Sequence, residues 1–167
     1  MSRAFVKEGD GDLDPLPDLP LSPHPNYVTP RGLAALQARL LETQATLTAL
    51  RARPERLNKL PEAAAERDIR YLEARLRSAI LIDPTSLPLS EVAFGLCVTV
   101  RDEAGGTQTY EITGEDESDA ALGRIAPSSP LARALLGGSV GDAVIWRKPS
   151  GPIPLEITAI TYAHPQT

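Results

Sequence analysis

The chain has 167 residues and a formal net charge of −5; 42% of it is hydrophobic and only 4% aromatic. That is enough for one or two small domains with a buried core. It contains no run of eighteen apolar residues and no basic-then-apolar leader, so a soluble, cytoplasmic protein with no membrane contact is expected. A single cysteine, Cys97, with only His24 and His164 as histidines, excludes an internal disulfide and any zinc-ligand spacing.

Charge is unevenly distributed. Residues 1–28 hold two basic and five acidic residues, residues 29–89 hold ten and seven, and residues 90–167 hold five and ten. A basic middle between acidic ends suggests contact with a charged partner. No aromatics interleave with the basic residues, so direct nucleic-acid binding by stacking is not expected.

The first segment, residues 1–28, contains Pro15, Pro17, Pro20, Pro23 and Pro25 among its acids. This composition resists helix and sheet and predicts a disordered, extended arm. A second reading is a docking peptide in which "SRAFV" binds a partner through Phe5.

Thr29 as N-cap and Pro30 at the first helical position signal a helix. Leu33, Leu36, Leu40, Leu47 and Leu50 follow at heptad spacing, with Thr43 filling one slot. The rhythm returns at Ala65, Ile69, Leu72, Leu76 and Ala79, and the helix is expected to end before Asp83-Pro84. Between the helices, "LRARPERLNKLPEAAAERD" (residues 50–68) carries Pro54 and Pro61, which would break one continuous helix. The two seams therefore predict an antiparallel coiled-coil hairpin over residues 29–84, closed within one monomer.

After a hinge at residues 85–90 the period changes. "EVAFGLCVTV", "TQTYEITG", "AVIWRKP" and "IPLEITAITY" are β-branched or alternating runs separated by Gly, Pro and Asp. One short helix is predicted in "SPLARALLGG", opened by Ser129 and Pro130 and closed by Gly137-Gly138, with Leu131, Leu135 and Leu136 facing the core. Residues 91–167 thus read as a mostly antiparallel β domain with one short helix. The fold class is α+β. Cys97 lies in an apolar run without a histidine partner and reads as a buried small hydrophobe.

These parts in this order resemble the bacterial Gre family of transcription elongation factors. The resemblance spans residues 27–162 and rests on "YVTPRGLAALQARL", "IRYLEARLRSAILID", "FGLCVTV", "TYEITGEDESD", "SPLARALLGGSVGD" and "LEITAITY". It implies an FKBP-like C-terminal domain that docks on the rim of RNA polymerase's secondary channel and a hairpin that enters the channel. In the family an Asp-x-x-Glu-Asn loop at the hairpin tip helps hold a catalytic magnesium ion, because paired carboxylates recruit a hard cation and polarise its water.

No such run occurs between Leu33 and Asp83. Aligned from both ends, the hairpin looks about fifteen residues shorter than the family's, or roughly 10 Å less reach at ~1.5 Å per residue. Its tip sets Arg51, Arg53, Arg56 and Lys59 against Glu55 and Glu62, a net of +2. A positive tip repels a divalent cation. The expectation is a non-enzymatic factor that needs no metal or cofactor and regulates elongation without stimulating cleavage, its basic tip facing channel acids, RNA or nucleotide. The alternative is a cleavage factor using Glu55 and Glu62.

The resemblance assigns polymerase docking to Ser129, Pro130, Arg133, Ala134 and Asp142, with Gly141 beside the last. The same residues are also ordinary cap and turn chemistry. The acidic run Glu115, Asp116, Glu117 and Asp119 reads as a solvated loop or as a patch meeting a basic polymerase surface; its spacing is not that of an EF-hand. Two readings from other classes remain. A peptidyl-prolyl isomerase would need an aromatic-lined pocket, for which this half offers Phe94, Tyr110, Trp146 and Tyr162. A coiled-coil dimer scaffold would need a stable dimer in solution.

Overall fold

The structure is a computed structural model and describes residues 13–164. The docking-peptide reading of Phe5 lies outside the described residues. Helix α1 (Pro30–Arg51) and helix α2 (Leu60–Ser78) form the expected antiparallel hairpin, about 33 and 28 Å long at ~1.5 Å per residue. Thr29 caps α1 by accepting from the Gly32 amide at 3.0 Å, which satisfies one of the four amide donors that every helix start leaves unpaired. Near the base, Leu36 and Leu72 are buried and pack with Leu33, Leu40, Tyr71 and Leu76. Towards the tip the seam thins to Leu47, Ala63 and Ala65.

α2 stops at Ser78, short of the proline expected to end it. Asn26 supplies the reason. Its amide nitrogen donates to the Arg75 carbonyl at 2.8 Å, completing one of the carbonyls that the helix end leaves open, and to Ser78 Oγ at 3.0 Å. Ala79 then turns to extended backbone, and β2 (Ile80–Leu81) pairs in parallel with β1 (Tyr27–Val28). This small ribbon ties the two ends of the hairpin together at its base.

Residues 13–26 have no helix or strand, as five prolines dictate. They are nevertheless anchored along α2, which composition alone did not foretell. Arg70 donates to the Leu16 carbonyl at 2.8 Å and pairs with Asp18. The described arm therefore runs from the tip end of α2, where Leu13 and Asp14 lie near Arg56 and Glu62, to the base at Asn26.

The C-terminal half is a five-stranded sheet in the order β5-β4-β3-β7-β6. Its strands are β3 (Leu96–Asp102), β4 (Thr107–Ile112), β5 (Arg124–Ile125), β6 (Ala143–Lys148) and β7 (Gly151–Tyr162). All pairings are antiparallel except β4 with β5. One face, with Leu96, Val98, Val100, Ile112, Leu155 and Ile157, packs on helix α3 (Pro130–Leu135) through Leu131, Ala132 and Leu135. Leu136 is 38% exposed, contrary to the sequence expectation, because α3 ends at Leu135 and Leu136 takes extended-type dihedrals that turn its side chain out of the helical register. The other face carries Thr99 and Thr109, hydrogen-bonded at 2.7 Å, and the Arg101–Glu156 pair. Cys97 lies on this polar face and is only half-buried. Burial, followed by the neighbouring Glu111 charge, still pushes its thiol up to about 11, which keeps it protonated and unreactive at neutral pH.

Candidate functional site

Three places could carry function: the hairpin tip, the start of α3, and the joint between hairpin and sheet. At the tip, residues 52–59 connect the helices. Both Glu62 oxygens accept from Arg56, at 2.8 and 2.5 Å, and the side chain is nearly buried. This hydrogen bond holds the Glu62 carboxyl below its ordinary range. Arg51 pairs with Glu66 at 2.6 Å. Arg53 folds back through Nε to the Leu50 carbonyl at 3.3 Å. Glu55 is exposed, and Lys59 stands at the N-cap of α2, where its side chain makes no capping hydrogen bond. The crest is apolar as well as basic: Leu57 is 95% exposed. The carboxylate best placed on α2 is thus committed to an arginine fork, whose bidentate geometry matches a carboxylate closely. Among the described residues no group of three or more His, Cys, Asp or Glu stands where a metal ion could be held.

At α3 the candidate docking residues divide into two kinds. Ser129 Oγ donates to the Ala126 carbonyl at 2.7 Å and accepts from the Ala132 amide at 3.3 Å, so it is a cap. Asp142 accepts from the Ser139 amide at 2.9 Å and closes a turn. Ala134 is half-buried. Pro130 and Arg133 are exposed, and the Arg133 side chain has no hydrogen-bond or ion-pair partner among the described residues. Arg133 borders a hollow of about 220 Å³ shared with Tyr27, Glu115 and Pro127. Exposed Leu136 and Val140 follow α3. Of the aromatic residues proposed for an isomerase pocket, Tyr110 and Trp146 meet edge to face at 6.4 Å, and Lys148 Nζ lies 4.5 Å over the indole ring. The other two lie elsewhere: Phe94 packs on Tyr27, and the Tyr162 hydroxyl donates to the Leu87 carbonyl.

The joint is what reading the sequence missed. The acidic run after β4 is neither a solvated loop nor, for its first three members, an open patch. Arg31 on α1 pairs with Glu117 and, at 2.7 Å, with Glu111; Glu117 also accepts from the Thr29 hydroxyl at 2.8 Å. Arg75 on α2, 4% exposed at its side chain, pairs with Asp116 at 2.6 Å and approaches Glu115 at 3.6 Å. Tyr71 donates to the second Asp116 oxygen at 2.5 Å, and Ser22 of the arm donates to Glu115 at 2.8 Å. Only Asp119 of the run is exposed, capping a short 3₁₀ turn. Two glycines let the halves approach. A side chain at Gly114 would meet the Tyr27 carbonyl oxygen at 2.6 Å, and one at Gly32 would meet Glu117 Oε2 at 2.6 Å. The clue in the sequence was Arg75 three residues after Leu72, an arginine beside the hydrophobic seam, facing a half of the molecule rich in carboxylates.

Comparison with known proteins places these features in a family. A family model described as "Transcription elongation factor, GreA/GreB, C-term" matches residues 87–162. The chain is 42% identical over 103 residues to "Transcription elongation factor GreA" of Pseudomonas aeruginosa, covering 60% of this chain and 65% of that protein. The chain thus spans just under two thirds of that relative's length. It is 35% identical over 152 residues to the protein of the same name from Psychrobacter cryohalolentis, covering 81% of this chain and 96% of the relative. Among solved structures, the "Prokaryotic transcription elongation factor GreA/GreB from Nitrosomonas europaea" is 25% identical with a TM-score of 0.42, covering 82% of this chain and 99% of the other.

Proposed function

The chain belongs to the GreA/GreB family of transcription elongation factors, and from that premise we propose that it docks on RNA polymerase at the rim of the secondary channel and occupies the channel without stimulating transcript cleavage. The observation that carries this reading is the Arg56–Glu62 fork. The family's chemistry needs two tip carboxylates free to share a hard cation. Here one is taken up by an arginine and the other, Glu55, sits among Arg53, Arg56 and Lys59. The tip residues do not fit a magnesium ion, and no catalytic step is assigned to them.

Reach supports the same conclusion. The 81% of this 167-residue chain that aligns with the P. cryohalolentis protein is about 135 residues, against 152 in that relative. About seventeen of its positions therefore have no counterpart here, in keeping with a hairpin shortened by about one heptad per arm. Catalysis falls off steeply with ångström-scale misplacement, so a shortfall of roughly 10 Å at ~1.5 Å rise per residue argues against the tip as a ligand donor. The factor works by occupancy, as a monomer, and contributes no reaction of its own.

Docking falls to the sheet half. Pro130 and Arg133, which has no side-chain partner among the described residues, present a cation at the start of α3, with Leu136 and Val140 adding apolar contact. A cationic group at the centre and apolar groups around it suit a protein interface. Competition tests the reading: the protein is expected to bind core RNA polymerase and to be displaced by excess GreA. Simultaneous binding of both would place it elsewhere.

A further inference from the structure

We infer that the end of the proline-rich arm belongs to the docking surface: His24 and Pro25 wall a hollow, shared with Tyr27, Pro127 and Arg133, that takes one apolar side chain of RNA polymerase beside a carboxylate bound to Arg133. The inference rests on the docking reading above. It adds to that reading two residues upstream of 27–162, the span over which the family resemblance runs.

The hollow is assembled before any partner arrives. The Ser22 hydroxyl accepts from the His24 amide at 3.2 Å and donates to Glu115 at 2.8 Å, which pins the arm to the sheet half. On the other side of Pro25, buried Asn26 donates to the Arg75 carbonyl at 2.8 Å. Tyr27 packs on Phe94 with ring centroids 5.7 Å apart. The Ser129 amide donates to the Ala126 carbonyl at 3.0 Å and holds Pro127 and Ser128 in a turn. The prolines add stiffness, because the ring fixes φ. Walls already in place spare a partner part of the ordering cost of binding.

Size and charge select the occupant. At about 220 Å³ the hollow falls below the ~300–1,000 Å³ of small-molecule sites and suits one side chain of a folded partner. The Tyr27 ring and two prolines make it largely apolar. Glu115 also lines it, but that charge is answered from within by Ser22 and by Arg75 at 3.6 Å. Arg133 has no side-chain partner among the described residues, so the unmet charge is positive. A carboxylate next to an apolar residue therefore fits best, and exposed Leu136 and Val140 after α3 extend the apolar contact.

Titration of core RNA polymerase with the full chain tests it. His24 is exposed, so substitutions there leave the core intact. His24→Glu sets a like charge against the incoming carboxylate and should weaken binding about tenfold, whereas His24→Lys should bind at least as tightly as the parent. Ser128→Phe, which fills the hollow, should weaken binding as well. Equal affinities for His24→Glu and His24→Lys, with Arg133→Glu still weakened, would overturn the inference and leave docking at α3 standing. Full affinity in Arg133→Glu too would overturn both. Sedimentation of the protein alone supplies the remaining outcome: a dimer that His24→Glu dissolves would assign the hollow to a second copy and overturn the inference.

Discussion

Arg75 on α2 and Asp116 after β4 meet at 2.6 Å across the boundary between hairpin and sheet, and Tyr71 closes the same carboxylate from the other side. Arg75 is almost wholly buried. Removing one member of a buried pair leaves the other desolvated and unmatched. Arg75→Ala is accordingly expected to cost about 3 kcal/mol in urea unfolding, whereas replacing the exposed pair Arg101–Glu156 should cost under ~1 kcal/mol. Equal effects at the two places would show that the joint is as solvated as an ordinary surface ion pair.

Tyr71 gives this joint a dependence on alkaline pH. Burial first, and the hydrogen bond to Asp116 second, push its phenol up to about 12 from an ordinary value of 10.0. A proton held more tightly in the folded state stabilises it. That contribution is complete below pH 10 and is lost as pH rises from 10 to about 12. Stability measured across this window should fall, and Tyr71→Phe, which has no proton to lose there, should flatten part of the fall. An unchanged slope in Tyr71→Phe would assign the alkaline loss to other groups.

The docking proposal separates two kinds of residue at α3. Pro130→Gly with Arg133→Glu reverses the exposed charge and should weaken binding to RNA polymerase at least tenfold, about 1.4 kcal/mol, measured on the folded protein, while loss of the helix-opening proline lowers stability by about 1 kcal/mol. Ser129→Ala removes a cap and should cost about 1 kcal/mol of stability with binding kept once the protein is folded. Binding by the doubly substituted protein at full affinity would take those two residues out of the interface.

The fold could be read in the sequence wherever one rule governed a segment. Thr29-Pro30 and Ser129-Pro130 opened their helices as capping chemistry requires, and the leucine rhythm located both arms of the hairpin. The joint was not legible because it is made by residues 40 to 93 positions apart, and neither a periodicity nor a local motif reports such pairs. Proline content marked residues 13–26 as extended but could not show that Arg70 and Asn26 hold them. At the tip, sequence counted the charges correctly and missed that Arg56 and Glu62 would pair, which commits the carboxylate more firmly than net charge alone.

Transcript cleavage in backtracked elongation complexes tests the central claim most directly. Added alone, the protein should leave the cleavage rate at its unassisted level; added in excess over GreA, it should slow the GreA-stimulated rate towards that level. A cleavage rate that climbs with its concentration, and falls again in Glu55→Gln or Glu62→Gln, would contradict the account.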